Sequence, residues 1–517
     1  MDGQNDPSDG GWGPFGRPLF DKPSARALSR VGVVDVGSNS VRMVVFDGAA
    51  RSPAYFYNEK IMCGLGAKMA ATGRLNPEGR TRALAALKRF QALAETMQTG
   101  PLTVVATAAV REATDGPDFQ ADVQRETGLR LWVIDGCEEA RLSAQGVLLG
   151  WPGAYGLVCD IGGSSVELAE INGGQVGKRF TSQLGPFRLR DLKGGRAARR
   201  KLIKDTLCEM REALGEQRNR LFLVGGSWRA IAKVDMFRRN YPLHVLHEYR
   251  MSPKSVRETA KFIEANALDD LRRMANVSAS RMALVPYAAE VLRRLVQTFK
   301  PHDIAISSYG IREGLLYEQM PQELKDRDPL IEACRFAEAK DARLPGYGKL
   351  VYEFVQPLFP RARPEFQRLL IAACLLHDVS WRAHPDYRAE DCFDNATRAN
   401  LGGLKHSERI FLGLALMHRY SSRREGSRFE DLSVLVSKSQ EHDAEILGRA
   451  MRFAAMFWLR KDEQIGRLKW QPKKKLLTLE LSAAAVPLFG EVAQARFDAL
   501  AAALDATTNI LKTSRPA

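Results

Sequence analysis

Two stretches of the chain repeat one arrangement of apolar and polar positions. VVDVGSNSVRM at 33–43 and VCDIGGSSVEL at 158–168 both read apolar-apolar-Asp-apolar-Gly-x-x-Ser-Val-x-apolar. Short apolar runs around small polar residues predict a β-hairpin in each place. Further strands are predicted at 102–107 (LTVVAT), 129–134 (LRLWVI) and 221–226 (LFLVGG), with a last strand-helix pair at 303–320. Helical spacing appears at 77–98, through Leu84, Leu87, Phe90 and Leu93, and a helix is predicted to begin near Glu138. Strands alternating with helices in two half-chains predict two α/β lobes, at 31–149 and 150–320. The charged segment PQELKDRDP (321–329) reads as a linker. Beyond it, 330–517 is predicted to be a mainly α-helical domain with one β-like patch at 467–482. Residues 1–30, rich in Gly, Pro and Asp, are expected to be a disordered lead-in.

The repeated pattern carries chemistry as well as shape. Each apolar run ends at an Asp, Asp35 or Asp160, and then turns. The first turn is Gly37, Ser38, Asn39 and Ser40; the second is Gly162, Gly163, Ser164 and Ser165. Glycine lets the backbone approach a ligand closely, so amides and hydroxyls at such tips can gather around phosphate oxygens. An acidic group at the strand end can hold Mg²⁺ or a metal-bound water beside that phosphate. Two copies, each with its Asp, predict two facing lobes with a phosphate chain between them. VGG at 224–226 opens a helix, so Gly225 and Gly226 are either a third phosphate-facing turn or a plain strand-to-helix turn.

Four charged residues stand near these turns. Arg111 follows the strand at 102–107; it is either a bidentate phosphate grip or an ordinary surface arginine. Glu138 and Glu139 open a helix, where a carboxylate can orient the water that attacks a phosphoanhydride, although the helix dipole favours Glu there in any protein. Glu167 follows the second turn and either faces solvent or serves a metal or water across the cleft.

Charge narrows the partners. Lys+Arg is 76 against Asp+Glu 61, a net charge of +15. That excess favours polyanions: nucleic acid, anionic membrane or polymeric phosphate. The densest basic runs are RAARRK at 196–201 and KKK at 473–475. No apolar stretch approaches a membrane span, and the N-terminal residues lack the form of a secretory signal. Seven dispersed cysteines without CxxC spacing imply reduced thiols and a cytoplasmic location. In the C-terminal region His377-Asp378, with His384, His406 and His418 downstream, is either a working metal site or a remnant of one.

DVGSNSVRM, ATAAVREA, CEEARLSAQG, DIGGSSVEL, VGGSWRAIAK and SSYGIREGLLYE, in this order, closely resemble the exopolyphosphatase / guanosine pentaphosphate phosphatase family. The resemblance is strong over 31–320 and looser beyond. It implies two duplicated actin-like (ribonuclease H-like) α/β lobes followed by a mostly helical His-Asp-like C-terminal domain, often supporting a homodimer. It also implies that Glu139 is the catalytic base, and that Asp35, Asp160 and Glu167 hold Mg²⁺. Gly37, Ser38, Asn39, Ser40, Arg111, Gly162, Gly163, Ser165, Gly225 and Gly226 would bind phosphate. Ser164 departs from the family's three-glycine turn. The implied reaction is Mg²⁺-dependent release of terminal phosphate from inorganic polyphosphate, a uniform polymer that needs no base recognition, so nucleic acid is not the expected primary partner. Guanosine pentaphosphate is the alternative substrate. An ATP-binding kinase or chaperone-like ATPase of the same superfold, and a non-catalytic polyanion binder, are more distant rivals.

Overall fold

A computed structural model describes residues 30–47, 51–215, 220–421, 429–459 and 463–512. The lead-in expected at 1–30 lies outside them, apart from Arg30. The described residues form two compact units, divided between Pro329 and Leu330. The first unit is α/β and contains both copies of the repeated pattern.

Copy one folds as a hairpin of β1 (Val31–Val36) and β2 (Ser40–Phe46), extended by β3 (Tyr55–Met62). β4 (Thr103–Ala106) and β5 (Leu131–Val133) add in parallel, giving the order β3-β2-β1-β4-β5. The second copy builds β6 (Gly156–Ile161), β7 (Val166–Asn172) and β8 (Gln175–Ser182). With β9 (Arg220–Val224), β10 (Arg250–Met251) and β11 (Asp303–Ile306), its order is β10-β11-β9-β6-β7-β8. Strand for strand, β8-β7-β6-β9-β11 matches β3-β2-β1-β4-β5, with β10 added at one edge. The apolar pattern does not disclose β3 and β8. Both are edge strands whose side chains are largely exposed, so neither needs an apolar run.

The central strands are apolar on both faces because each sheet is covered on both sides. In β1, Val34 and Val36 pack into a core with Leu87 and Phe90 of helix Pro77–Thr96. Val33 points the other way, into a core shared with Val158 and Phe222 of the second sheet. That shared core holds two helices, Gly136–Gly150 and Ile311–Glu318. They meet backbone to backbone. A Cβ on Gly146 would lie 2.3 Å from the Gly310 carbonyl oxygen, and one on Gly314 would lie 1.9 Å from that of Leu142. Buried Arg51 fixes the far end of the first helix, donating to the carbonyls of Leu148 and Leu149 and, at 3.0 Å, to those of Lys325 and Arg327.

The second unit is mostly helical, including Tyr347–Val355, Pro364–Leu376, His406–Tyr420 and Lys438–Ala454. Its β-like patch is a hairpin of β12 (Gly466–Gln471) and β13 (Leu476–Leu481), completed by β14 (Thr507–Lys512). All seven cysteines are free thiols. No described helix is long and apolar enough to cross a membrane.

The glycine contact sets how deeply the helix Gly136–Gly150 sits, and Glu139 lies in its first turn. Gly146→Ala is expected to push the two helices apart, costing about 2–3 kcal/mol of stability and lowering turnover. Urea unfolding and steady-state rates check this; unchanged stability would mean that the helices separate without strain.

Candidate active site

The two hairpin tips are built alike. Gly37 N–H donates to Ser40 O at 3.0 Å, and Gly162 N–H donates to Ser165 O at 3.0 Å. Around them opens a cavity of about 400 Å³. Its wall includes Gly37, Ser38, Asn39 and Ser40 from the first tip and Gly162, Gly163, Ser164 and Ser165 from the second. Gly225 and Gly226 also line it. Gly225 has φ 114°, and a Cβ there would lie 3.0 Å from Asp160 Oδ1, so glycine is needed for the strand to turn beside that carboxylate.

Asp35, Glu139 and Asp160 bring three carboxylates to the wall. Burial pushes the pKa of Glu139 up to about 8, with the Asp160 carboxylate adding to the rise and Arg111 opposing it. Arg111 Nη1 lies 3.6 Å from Glu139 Oε2, an ion pair too long for a hydrogen bond, and that oxygen is buried without a hydrogen-bond partner. Burial also raises Asp35 and Asp160, while Ser143, one helical turn after Glu139, donates to Asp160 Oδ2. The helix Gly136–Gly150 therefore supplies both the Glu and the group that orients the Asp.

Two expected site residues stand off the wall. Arg111 donates from Nη1 to Ile134 O at 2.8 Å and pairs with Glu139, so it reaches the cavity through that carboxylate. Glu167 sits opposite Asp160 in the β6–β7 register, fully buried, with Oε1 accepting from Thr181 at 3.2 Å. Its Oε2 has no hydrogen-bond partner, and burial with the charges of Glu139 and Asp160 holds its pKa well above the usual range. The corresponding position in the first hairpin is Arg42, opposite Asp35 in the β1–β2 register.

Arg42 belongs to a set of residues that motif reading did not single out. Arg42, Lys60, Arg229, Arg281 and Arg312 all line the cavity. Burial lowers Lys60 to about 8, helped by the neighbouring arginines 281, 42, 312 and 229. Burial likewise lowers Arg229 to about 10, with Arg312 and Arg281 adding to the effect. Arg312 Nε is buried without a hydrogen-bond partner. Cations forced together at this cost make a strong anion site. The basic run at 196–201 is a different matter. Arg196 pairs with Glu264, Arg199 and Arg200 with Glu290, and Lys201 with Asp205.

Among the described residues no group of three or more His, Cys, Asp or Glu side chains could by itself hold a metal. The site still fits Mg²⁺, which is commonly held by one or two carboxylates with substrate phosphate and water completing its shell. Glu139 Oε2 and Glu167 Oε2 are buried without a hydrogen-bond partner, leaving acceptor positions that a bound cation would satisfy. In the C-terminal unit, Arg343 grips Asp378 through Nε at 2.9 Å, and burial with Arg419 nearby lowers His377 to about 4, leaving it neutral. The cavity beside them is about 20 Å³, room for one water.

The model of the Ppx/GppA phosphatase family matches residues 44–323, more than half of the chain, and the exopolyphosphatase C-terminal model matches 361–509. The chain belongs to the Ppx/GppA phosphatase family. Similar relatives include exopolyphosphatase 1 of Mycobacterium bovis and of Mycobacterium tuberculosis, each 26% identical over 319 residues, covering 59% of this chain and 92% of theirs. The crystal structure of an exopolyphosphatase from Cytophaga hutchinsonii superposes with a TM-score of 0.51 at 23% identity, covering 58% of this chain and 99% of that one. That likeness bears on the fold: two actin-like lobes, as the duplicated sheets display. As a Ppx/GppA member this protein is a hydrolase of phosphoanhydride bonds.

The raised pKa of Glu139 has a consequence for stability. The folded state holds this proton more tightly than the unfolded chain, so stability is full at acid pH and is lost as pH rises toward 8. In metal-free buffer Glu139→Gln is expected to be more stable than wild type at pH 8 by about 2 kcal/mol, with the two converging at acid pH. Calorimetric melting checks this; equal stability at pH 8 would show that the ionised carboxylate is not penalised.

Proposed function

We propose that the protein is a Mg²⁺-dependent exopolyphosphatase, releasing terminal orthophosphate from inorganic polyphosphate in the cytoplasm and working as a homodimer. The observation that carries the substrate assignment is the convergence of Arg42, Lys60, Arg229, Arg281 and Arg312 on the cavity that also holds Glu139. A chain with negative charge at every phosphate fits such a wall along its length. The wall carries one aromatic ring, Phe187, among the described residues, which offers little to recognise a guanine base. The dimer follows the family resemblance of the C-terminal region, and the cytoplasmic location follows the free, dispersed cysteines.

In this mechanism Glu139, in its ionised form, orients a water and takes its proton as the water oxygen bonds to the terminal phosphorus. The bond to the bridging oxygen breaks, and the chain leaves one phosphate shorter. The hairpin tips and the surrounding guanidinium groups stabilise the charge that spreads over the transferred group. Asp35 and Asp160 would hold Mg²⁺, which when bound neutralises phosphate oxygens. Arg111 acts on Glu139: it keeps the carboxylate's pKa from rising further, so a useful fraction is ionised near neutrality. Glu167, buried beside both acids, adds negative charge behind them and is the third candidate for the metal's surroundings.

Phosphate release from long-chain polyphosphate, guanosine pentaphosphate and ATP, with Mg²⁺ or with chelator, tests the reading. Polyphosphate is expected to be preferred, activity to need Mg²⁺, and Glu139→Gln to lose about 10³-fold. Preference for the nucleotide, or full activity of that variant, overturns it. Arg111→Met removes the cation that lowers Glu139, so the acid limb of the kcat/KM profile is expected to move to higher pH by up to about one unit. An unmoved limb would mean that the titrating group is not Glu139.

A further inference from the structure

A second cavity, of about 750 Å³, adjoins the first. Ser38, Asn39, Ser164 and Phe187 line both, so the hairpin tips and one aromatic ring are the partition between them. The partition is thin. A Cβ on Gly163 would lie 2.8 Å from the Phe187 ring and 3.7 Å from Ser38 Cβ, which places the two tips almost in contact.

A file of alternating charges runs from the reacting carboxylate to this second space. Arg111 lies 3.6 Å from Glu139 and 3.8 Å from Glu112, and Arg188 lies 3.5 Å from Glu112 on the other side. Glu112 and Arg188 line the second cavity, together with Lys68, Arg190 and Asp191. Its charge is mild: three cations face two acids, and Arg190 is held by Asp191 at 2.7 Å. The first cavity sets five cations against three carboxylates of raised pKa. One space suits retention of a polyanion; the other suits passage of a small one.

We propose that the second cavity is the exit for the orthophosphate product, which crosses between the hairpin tips toward Arg188 while the shortened chain stays on the cations of the first cavity. The inference rests on the polyphosphate reading above. It answers a problem of order: a terminal phosphate cut at the Glu139 end would otherwise have to leave past the polymer that still fills the entrance.

Ala67 lines the second cavity and not the first, so Ala67→Trp narrows the second from a wall the first does not share. Arg188→Gln removes the guanidinium with little change in volume. For both, single-turnover cleavage of polyphosphate and its KM are expected to match wild type, while steady-state turnover falls about tenfold as product release becomes limiting. Unchanged steady-state turnover in both variants overturns the exit. So does a raised KM with unchanged turnover, which would make the cavity a polymer-binding space. Wild-type protein that releases no phosphate from polyphosphate overturns the proposed function itself, and is told apart because no variant is involved. Melting temperatures equal to wild type exclude misfolding as the cause.

Discussion

Three carboxylates and five basic side chains face one cavity, and neither set neutralises the other in place. Asp35, Glu139 and Asp160 are buried enough that their ionised forms are disfavoured. The basic groups are crowded enough that Lys60 and Arg229 hold their protons less tightly than usual. In the proposed reaction both strains would be relieved together: a phosphate chain would supply negative charge to the cations, and a divalent metal positive charge to the acids. The rest of the α/β unit is organised to hold this arrangement against its own repulsion.

That task falls to backbone contacts more than to side-chain packing. The helix that carries Glu139 and Ser143 is pressed against its neighbour through Gly146 and Gly314, with no side chain between to absorb movement. Its C-terminal carbonyls are held by Arg51, and Arg141 near its start is tied to Glu318 of the neighbouring helix at 2.8 Å. With the two sheets closing on either face, the helix has little freedom to rotate the carboxylate away from the hairpin tips. Burial that raises the pKa of Glu139 is thus a product of the same packing that positions it.

In the C-terminal unit the charge of a buried acid is met from within the same unit. His377-Asp378 keeps the order of a metal-binding doublet, yet Arg343 supplies the positive charge that Asp378 requires. A buried carboxylate needs a compensating charge, and here a guanidinium from the same unit supplies one. The doublet then contributes to packing and electrostatic balance within its own unit.

The duplicated Asp-hairpin was legible because a strand that is covered on both faces must be apolar and a phosphate turn must be small; both demands are written in local residues. Glu139, Arg111 and the Gly225-Gly226 turn were legible as candidates from their motifs. The strands β3 and β8 were not, since an edge strand needs no apolar pattern. Nor was the basic wall. RAARRK, the densest run of charge, is occupied by Glu264, Glu290 and Asp205, whereas Arg42, Lys60, Arg229, Arg281 and Arg312 come from segments scattered over more than half of the first unit. The sequence by itself determined that two lobes would face each other with acids and small turns between them, since periodicity and turn chemistry act over a few residues. Only the tertiary structure decided which cations face the cleft and which carboxylates stand on its wall or behind it, because Coulomb interactions depend on distance in space, which chain order does not encode.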